Sequence, residues 1–373
     1  MDCPDVITLT QKLLSFDTVN PPGNEEELAK YVGRLLESHS FLVSYYEYEK
    51  DRLHLLAEKG VDGDGAPLVL SGHFDTVPLG EKPWRMDPYA GEIEGDRIYG
   101  RGSSDMKGGL AAMTVAAIES TRISTPAGGI RLIFSSGEEM GCHGINQLVS
   151  SGKDLGKARA VIVGEPTSNH PAIAHKGAIY IKATTQGKTA HSSMPELGDN
   201  AIYKAAKAIM KVEDFDLQSD ADPLLGLPTI NVGKMQGGMN INSVPDHAEF
   251  SIDIRTTPRS SHPKLLDGLK RELGEEIDLE TLVDLHPVSN SESDPFVQRV
   301  YEICGVGEAG SPELKSLPYL TDGSVLQAYY GGVPTLILGP GEPDMAHQTD
   351  EYCSLRKLEE SVDIYKNIIL QKT

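Results

Sequence analysis

A histidine and an aspartate follow a short apolar run of the chain. Residues 68–70 are apolar and bounded by Pro67 and Gly72, so they predict a buried strand that ends where His73 begins. If the strand continues, His73 and Asp75 point the same way, because side chains in a strand repeat with period two. A carboxylate beside an imidazole can hold one ring nitrogen and leave the other free for a metal. Taken alone, such a pair is more often structural than metal-binding.

Further candidate ligands follow other short apolar runs in the same way. Three runs are each followed by acids or a histidine: residues 131–134 by Glu138 and Glu139, residues 160–163 by Glu165, and residues 333–338 by His347. Asp105 lies in a glycine-rich segment before a predicted helix at 110–120. Helical stretches between several runs predict crossover connections and a mostly parallel sheet, where sites form beyond the carboxyl ends of the strands. We therefore predict an α/β domain with a mixed, mostly parallel sheet and helices on both faces.

Together these residues match the needs of two divalent ions. The candidate ligands are two imidazoles and three carboxylates: His73, Asp105, Glu139, Glu165 and His347. They suit two ions if one carboxylate bridges them. Glu138 and Glu139 are neighbours and cannot easily face the same ion, so one is expected to bind metal and the other to act as a base.

The elements before residue 60 predict scaffold. Apolar residues at helical spacing predict a helix within residues 5–19. Asn24, with Glu27 three residues on, predicts a capping box that opens a second helix running to about Ser40. Strands are predicted at 41–48 and 53–57.

The middle of the chain follows a different pattern. Its predicted elements are strand 179–185, helix 199–212, strands 229–235 and 248–257, helix 262–275 and strand 277–288. This βαββαβ order predicts a ferredoxin-like domain. Because candidate ligands stand on both sides of it, we expect residues 176–288 to be inserted into a catalytic domain made of residues 1–175 and 289–373.

Charge and cysteine content exclude several classes of partner. The chain has 373 residues, with 34 Lys plus Arg against 55 Asp plus Glu, and the formal charge of −21 would repel nucleic acid and anionic membranes. The four cysteines form no CxxC pair, which fits reduced thiols.

No apolar run approaches the length of a membrane span, and the first residues carry acids where a signal peptide has basic residues. We therefore expect a cytoplasmic protein.

Five segments, in this order along the chain, resemble the metal-site segments of the M20 metallopeptidase family. They are His73-Phe74-Asp75, residues 102–109, Glu138-Glu139, Gly164-Glu165-Pro166-Thr167 and Ala346-His347-Gln348. The family contains acetylornithine deacetylase, succinyl-diaminopimelate desuccinylase, aminoacylase and a glutamate-releasing carboxypeptidase. The resemblance covers nearly the whole chain.

The resemblance implies a role for each candidate residue of the metal site. Asp105 would bridge two zinc ions, and the remaining ligands would divide into His73 with Glu165 and Glu139 with His347. Cobalt and manganese also suit mixed histidine and carboxylate sites.

The remaining two acids of the site receive roles in catalysis. Asp75 would orient His73. Glu138 would take a proton from a water activated by the cations and later pass it to the leaving amine, so the reaction would be amide hydrolysis.

The inserted domain is similar to the family's lid and dimerisation domain. In it, His191 matches the histidine that reaches the active site of the partner subunit and stabilises the oxyanion. The resemblance therefore implies a homodimer. Without the family, His191 on its loop of Gly and Ser residues would be interpreted as a surface histidine.

Arg255 and Asn242 resemble the family's clamp for the substrate carboxylate. The planar fork of arginine binds a carboxylate in two places, which suits this role. An ion pair on the strand face, between Arg255 and Asp253 or Glu249, is the alternative.

The acyl group of the substrate is indicated by weaker signals. Lys176 stands where the family's desuccinylases carry an arginine, whereas the segment around His347 is more similar to the deacetylases. Gly323 lies in the family's pocket-lining region, in a segment that matches neither subgroup. We expect an acetylornithine-deacetylase-like zinc hydrolase that acts on a small N-acylated amino acid. The alternatives are a desuccinylase and a carboxypeptidase or dipeptidase that cleaves C-terminal residues or dipeptides. The intact Glu138 argues against a metal-binding scaffold without catalysis.

Overall fold

The chain folds into two compact units. The computed structural model describes residues 2–61, 65–307 and 315–370. Unit 1 comprises Met1–Ala174, Ser289–Ser316 and Thr321–Thr373, and unit 2 comprises His175–Val288 and Leu317–Leu320. In these described ranges, no helix combines the length and the apolar character needed to cross a membrane.

The helices alternate with strands along most of the chain. In order they are α1 (Val6–Leu14), α2 (Glu26–Glu37), α3 (Lys107–Ile123), α4 (His143–Ser150), α5 (Ala201–Glu213), α6 (His262–Leu273), α7 (Pro295–Ile303), α8 (Gly323–Tyr329) and α9 (Leu355–Ile369), with short 3₁₀ helices at Pro195–Leu197 and Pro343–Met345. The predicted helix at 110–120 is thus the core of a longer α3, which begins directly after Asp105-Met106.

The longest strands of the described residues lie in unit 2. In order along the chain, the strands of both units are β1 (Leu42–Glu49), β2 (Arg52–Lys59), β3 (Leu68–His73), β4 (Ile93–Glu94), β5 (Arg97–Tyr99), β6 (Ile130–Ser135), β7 (Ala160–Val163), β8 (Ala174–His175), β9 (Gly177–Gln186), β10 (Thr229–Gly237), β11 (His247–Thr256), β12 (Ile277–Leu285), β13 (Val288–Ser289), β14 (Ser316–Leu317), β15 (Thr335–Ile337) and β16 (Tyr352–Ser354).

The main sheet of unit 1 has the strand order β1-β2-β6-β3-β7-β15. Strands β6, β3, β7 and β15 pair in parallel with one another, whereas β2 pairs antiparallel with both β1 and β6. The predicted mixed, mostly parallel sheet is therefore confirmed. His73 lies opposite Ser135, and Val163 lies opposite Ile337, so the carboxyl ends of these strands share one edge.

Two groups of helices cover this sheet. Helices α1, α2, α3 and α9 pack together, and α4 packs with α8. Both α2 and α4 contact β1 although they belong to different groups, which is the arrangement of helices on opposite faces. The alanine-rich α3 is buried along most of its length because its small side chains allow close packing.

The start of α2 differs from the predicted capping box. The residue before the helix is Glu25, and it makes no side-chain cap. Its buried carboxylate instead pairs with the buried Arg52, with Nη2 and Oε1 2.7 Å apart. A buried guanidinium needs a counter-charge. The capping box of Asn24 and Glu27 is therefore wrong, because Glu25 serves the ion pair.

Unit 2 has the predicted βαββαβ order. Its sheet has the strand order β10-β11-β9-β12, and every pairing is antiparallel. The alternating residues Ala248, Phe250, Ile252 and Ile254 are buried under α5 and α6. This order of strands and helices is that of a ferredoxin-like fold. Unit 2 therefore has a hydrophobic core of its own.

Candidate functional site

The parallel strands of unit 1 deliver the candidate ligands to one edge of the sheet. His73 is the last residue of β3, and Glu165 follows β7 closely. Glu139 follows β6 after a tight turn, and His347 follows β15 after a longer loop. This is the edge where α/β sheets carry their sites. The sequence pattern of ligands after apolar runs therefore has its cause in the parallel pairing.

Asp105 presents a different carboxylate oxygen to each of two histidines. Its Oδ1 lies 3.2 Å from Nε2 of His73, and its Oδ2 lies 3.5 Å from Nε2 of His347. Asp105 is 9% exposed and precedes a cis peptide bond to Met106. A carboxylate that faces two imidazoles through separate oxygens has the arrangement of a bridging ligand.

The surrounding residues form two clusters that share Asp105. His73, Asp105 and Glu165 form one, and Asp105, Glu139 and His347 form the other; in each, the donor atoms lie within 4.8 Å of one another. Nε2 of His73 is 3.5 Å from Oε1 of Glu165, and Nε2 of His347 is 3.2 Å from Oε2 of Glu139. Two imidazoles with three carboxylates are a donor set that zinc, cobalt and manganese accept.

The electrostatics of these clusters fit bound cations. Burial raises the pKa of Glu139 to about 7 and that of Glu165 to about 8, and the nearby Asp105 carboxylate adds to both increases. Hydrogen bonds to Asp105 and Glu139 raise the pKa of His347 to about 10. Oε1 of Glu139 is buried and has no hydrogen-bond partner among the residues that the structure describes. A divalent cation would both bind this oxygen and stabilise the charged carboxylates.

His73 is oriented by the backbone of Asp75. Its Nδ1 donates a hydrogen bond of 2.9 Å to the Asp75 carbonyl oxygen, which leaves Nε2 as the ring nitrogen that faces Asp105 and Glu165. The Asp75 carboxylate lies beside the ring, with Oδ1 3.7 Å from Nδ1. The sequence led us to expect that the Asp75 carboxylate would orient His73. In the structure, the backbone carbonyl group of Asp75 accepts this hydrogen bond instead.

The Asp75 carboxylate instead holds the turn that carries the paired glutamates. Oδ1 accepts from the backbone N–H groups of Gly137 (2.9 Å) and Glu138 (3.1 Å), and Oδ2 accepts from that of Glu139 (3.2 Å). Asn20 completes the set with a hydrogen bond from Nδ2 to Oδ2, 2.9 Å long. Gly137 has a φ of +82°, and a Cβ there would lie 2.6 Å from a tyrosine ring. The turn therefore needs both Asp75 and a glycine.

Glu138 points into a second buried group of side chains. Donor atoms of Glu138, Cys142 and Asp322 lie within 4.8 Å of one another, and the Cys142 thiol donates to Oε1 of Glu138 at 3.4 Å. Burial raises the pKa of Glu138 well above its usual range. Sequence reasoning missed Cys142 and Asp322. The spacing of four residues from Glu138 was a signal for Cys142, and the place of Asp322 beside Gly323, in the segment expected to line the pocket, was a signal for Asp322.

Gly323 lies in unit 1, at the start of α8. Its N–H donates to Oγ1 of Thr321 at 3.0 Å. The adjacent Asp322 accepts a hydrogen bond of 2.5 Å from the Ser135 hydroxyl, at the end of β6. The structure therefore brings the predicted pocket-lining segment against the strand that leads to Glu138.

Two of the residues predicted to contact substrate lie together in unit 2. The His191 loop is bonded to the Asn242 segment, because the Ser192 N–H donates to the Asn242 carbonyl at 3.0 Å. His191 is exposed, and its Nδ1 accepts the Ser193 N–H at 3.2 Å. The neutral ring therefore carries its proton on Nε2, as an exposed donor.

Two further predicted substrate residues of unit 2, Arg255 and Lys176, lie at the opposite end of the same strands. Arg255 pairs with Asp253, with Nε and Oδ1 2.8 Å apart, which is one of the ion pairs that the sequence allowed. Lys176 donates from Nζ to the Leu227 carbonyl at 2.7 Å. Strand β11 separates Arg255 from the Asn242 segment by roughly 25 Å, from the rise per residue of a strand. One small molecule cannot contact both ends of this strand.

Comparison with known proteins gives consistent matches along the whole chain. The family model described as Peptidase family M20/M25/M40 matches residues 69–371. A probable succinyl-diaminopimelate desuccinylase from Staphylococcus epidermidis is 32% identical over 400 residues, covering 98% of this chain and 96% of that protein. An acetylornithine deacetylase from Vibrio atlanticus is 30% identical over 390 residues, covering 99% of each. The crystal structure of an M20 family metallo-carboxypeptidase from Sulfolobus solfataricus has a TM-score of 0.80 at 20% identity, covering 99% of each chain, and so has the same α/β fold.

The shared Asp105 predicts the metal stoichiometry. We expect two equivalents of zinc or cobalt per chain, with the ions roughly 3.5–4 Å apart, because three carboxylates and two imidazoles exceed the needs of one tetrahedral ion. Asp105→Ala should lower occupancy at both sites, whereas Asp253→Ala, which removes a carboxylate of unit 2, should not. Metal analysis after dialysis measures this. A wild-type protein that never exceeds one equivalent in excess metal would contradict the two-ion centre.

Proposed function

The chain belongs to peptidase family M20/M25/M40, and on that premise we propose that it is a dinuclear-metal amidohydrolase that removes an N-acyl group from an amino acid. The observation that carries this proposal is the Asp105 carboxylate, with one oxygen facing each of two histidine-containing clusters. Zinc is the proposed ion, with cobalt and manganese as substitutes. The four cysteines are free thiols, which supports a proposed cytoplasmic location.

The proposed chemistry divides the paired glutamates by function. A pair of divalent cations supplies a water molecule of lowered pKa when it is bound. Glu139 faces His347 and serves as a ligand, whereas Glu138 accepts the proton of that water and passes it to the leaving amine. The thiol of Cys142 holds one oxygen of Glu138 and leaves the other for proton transfer. Burial raises the pKa of Glu138, which favours its holding a proton between the two steps, and bound cations would favour the ionised form that first accepts it.

We propose that unit 2 is the lid and dimerisation domain and that the working unit is a homodimer. Within one chain, Arg255 and the pair His191 and Asn242 stand at opposite ends of β11, so they cannot bind the same small substrate. Two copies remove this conflict if one supplies Arg255 and Lys176 and the other supplies His191 and Asn242. The exposed Nε2–H of His191 is then a donor for the developing oxyanion.

The proposed substrate is a small N-acylated amino acid. Similarity to the acetylornithine deacetylase of Vibrio atlanticus supports removal of an acetyl group. Similarity to the probable succinyl-diaminopimelate desuccinylase of Staphylococcus epidermidis supports a succinyl group as the second candidate. Gly323 and Lys176 are proposed to contact the substrate, and Lys176 is a cation that could contact a second substrate carboxylate.

Hydrolysis of three substrates separates these candidates. We expect the protein loaded with zinc or cobalt to hydrolyse N-acetylornithine faster than N-succinyl-diaminopimelate, because the segment around His347 is more similar to deacetylases. A panel of N-acyl amino acids and dipeptides is assayed beside them by release of the free amine. A preference for the succinylated substrate would establish the second candidate, and cleavage of dipeptides alone would contradict a deacylase.

Two neighbouring glutamates allow a matched test of base and ligand. Glu138→Gln should remove turnover while metal content stays unchanged, because the amide keeps its size but cannot accept the proton. Glu139→Gln should instead lower metal content. Activity and metal analysis are measured on both variants. Identical behaviour of the two variants would show that the assignment of base and ligand is wrong.

Mixing two inactive variants tests the homodimer and the role of His191. A His191→Ala subunit combined with a Glu138→Gln subunit forms one site with both groups intact, so activity should return towards half of wild type per heterodimer. The control is each variant mixed with itself. If subunit exchange is demonstrated and no activity returns, His191 does not act on the partner's site.

A further inference from the structure

Glu351 is a buried carboxylate outside both ligand clusters, and it binds the loop that carries Asp105. It is 0% exposed. Its Oε2 accepts from the N–H of Gly102 at 2.9 Å, and its Oε1 accepts from those of Ser104 at 2.8 Å and Asp105 at 3.0 Å. Three backbone hydrogen bonds from one short loop to one carboxylate fix the path of that loop. The backbone of Asp105 is therefore held by an acid that belongs to neither ligand cluster.

The counter-charge of Glu351 is Arg101, which is 1% exposed. Nη1 of Arg101 lies 2.6 Å from Oε2 of Glu351 and also donates to the Gln348 carbonyl at 3.2 Å. Nη2 donates to the Pro78 carbonyl at 3.0 Å. Gln348 follows His347 directly, and Pro78 closes the segment that begins with His73. The guanidinium of Arg101 thus connects the segments that carry three candidate ligands. These ligands are His73, Asp105 and His347.

The Ser104 side chain adds a second link between the same segments. Its hydroxyl accepts the Glu342 N–H at 2.9 Å and donates to the Tyr352 carbonyl at 2.7 Å. A Cβ on Gly341 would lie 2.2 Å from the Ser104 carbonyl oxygen, so the backbones are in close contact. The Asp105 loop and the segment around His347 are therefore held together by hydrogen bonds and by direct backbone contact.

We propose that Glu351, paired with Arg101, is a positioning residue of the metal centre that couples the Asp105 loop to the His347 segment. This inference rests on the proposed metal centre. A bridging carboxylate serves two ions only while each oxygen faces its own cluster, and a small rotation of its backbone turns one oxygen away. Glu351 prevents that rotation through the N–H group of Asp105 itself.

A second arginine–glutamate ion pair of unit 1, in which Arg131 is buried and Glu58 is partly exposed, provides the control. Nε of Arg131 donates to Oε1 of Glu58 at 2.6 Å, and its Nη1 donates to the Lys157 carbonyl at 2.8 Å. As in the Arg101–Glu351 pair, one guanidinium binds a glutamate and also donates to a backbone carbonyl group. However, Arg131 lies near the start of β6, at the end of the strand opposite to the ligand clusters.

The test compares the affinity for Zn²⁺ of Glu351→Gln and Glu58→Gln, measured by competition with a chromophoric chelator. The glutamine keeps the size of Glu351 but loses its charge and presents an NH₂ group to backbone donors. We expect Zn²⁺ affinity to fall by about 10–100-fold in Glu351→Gln, the usual effect of removing a group that orients a ligand. Glu58→Gln should keep wild-type affinity. Circular dichroism and thermal unfolding confirm that both variants are folded.

Each outcome decides the proposal. Wild-type affinity in Glu351→Gln overturns it, and so does an equal loss in the two variants, because a general loss of stability would then explain both. If Glu351→Gln does not fold, Arg101→Lys is used in its place, because lysine keeps the charge but loses the fork that reaches Gln348 and Pro78. Reduced Zn²⁺ affinity of Arg101→Lys supports the proposal, and unchanged affinity overturns the proposal. Failure of the wild-type protein to bind two ions would instead overturn the metal centre itself.

Discussion

Carboxylates buried side by side repel one another, and the edge of the main sheet collects three of them around two imidazoles. Desolvation and the neighbouring charge of Asp105 together keep Glu139 and Glu165 from ionising easily. The histidines relieve this repulsion only in part, because each faces two acids. Divalent cations are the groups that make such an arrangement favourable, so the composition of the site and its expected cofactor follow from the same electrostatic conflict.

Two further acids hold this arrangement in place without taking part in it. Asp75 receives the N–H groups of the turn that contains Glu138 and Glu139, and Glu351 receives those of the loop that contains Asp105. Both are buried, and both accept several hydrogen bonds, which stabilise a carboxylate that is removed from water. Buried carboxylates therefore serve two purposes at this edge of the sheet. Some are candidate ligands for cations, and others accept hydrogen bonds that fix the backbone of the ligand-bearing segments.

The ligand set could be predicted because strand topology leaves a direct trace in the sequence. A parallel strand buried on both faces is a short apolar run, and the residue after it must lie at the functional edge, which places His73 and Glu165 without any knowledge of loops. The partners of Asp75 could not be predicted, since they depend on the left-handed backbone of Gly137. Glu351 left no signal either, because its partners, three backbone N–H groups and the Arg101 guanidinium, are all more than two hundred residues away. Every residue except proline has a backbone N–H group, so a hydrogen bond to one leaves no pattern of residue types in the sequence.

The ends of the insertion meet inside unit 1. Asn290, just after it, donates from its backbone N–H to the carbonyl of Ile173, just before it, at 3.1 Å. Strands β7 and β15 are neighbours in the sheet although the whole insertion separates them along the chain. Closing a long flexible loop costs chain entropy that grows with its length. Because unit 2 has its own core, its folding turns residues 175–288 into a compact body whose ends are close together, so the pairing of β7 with β15 then closes a loop shortened by the length of that body.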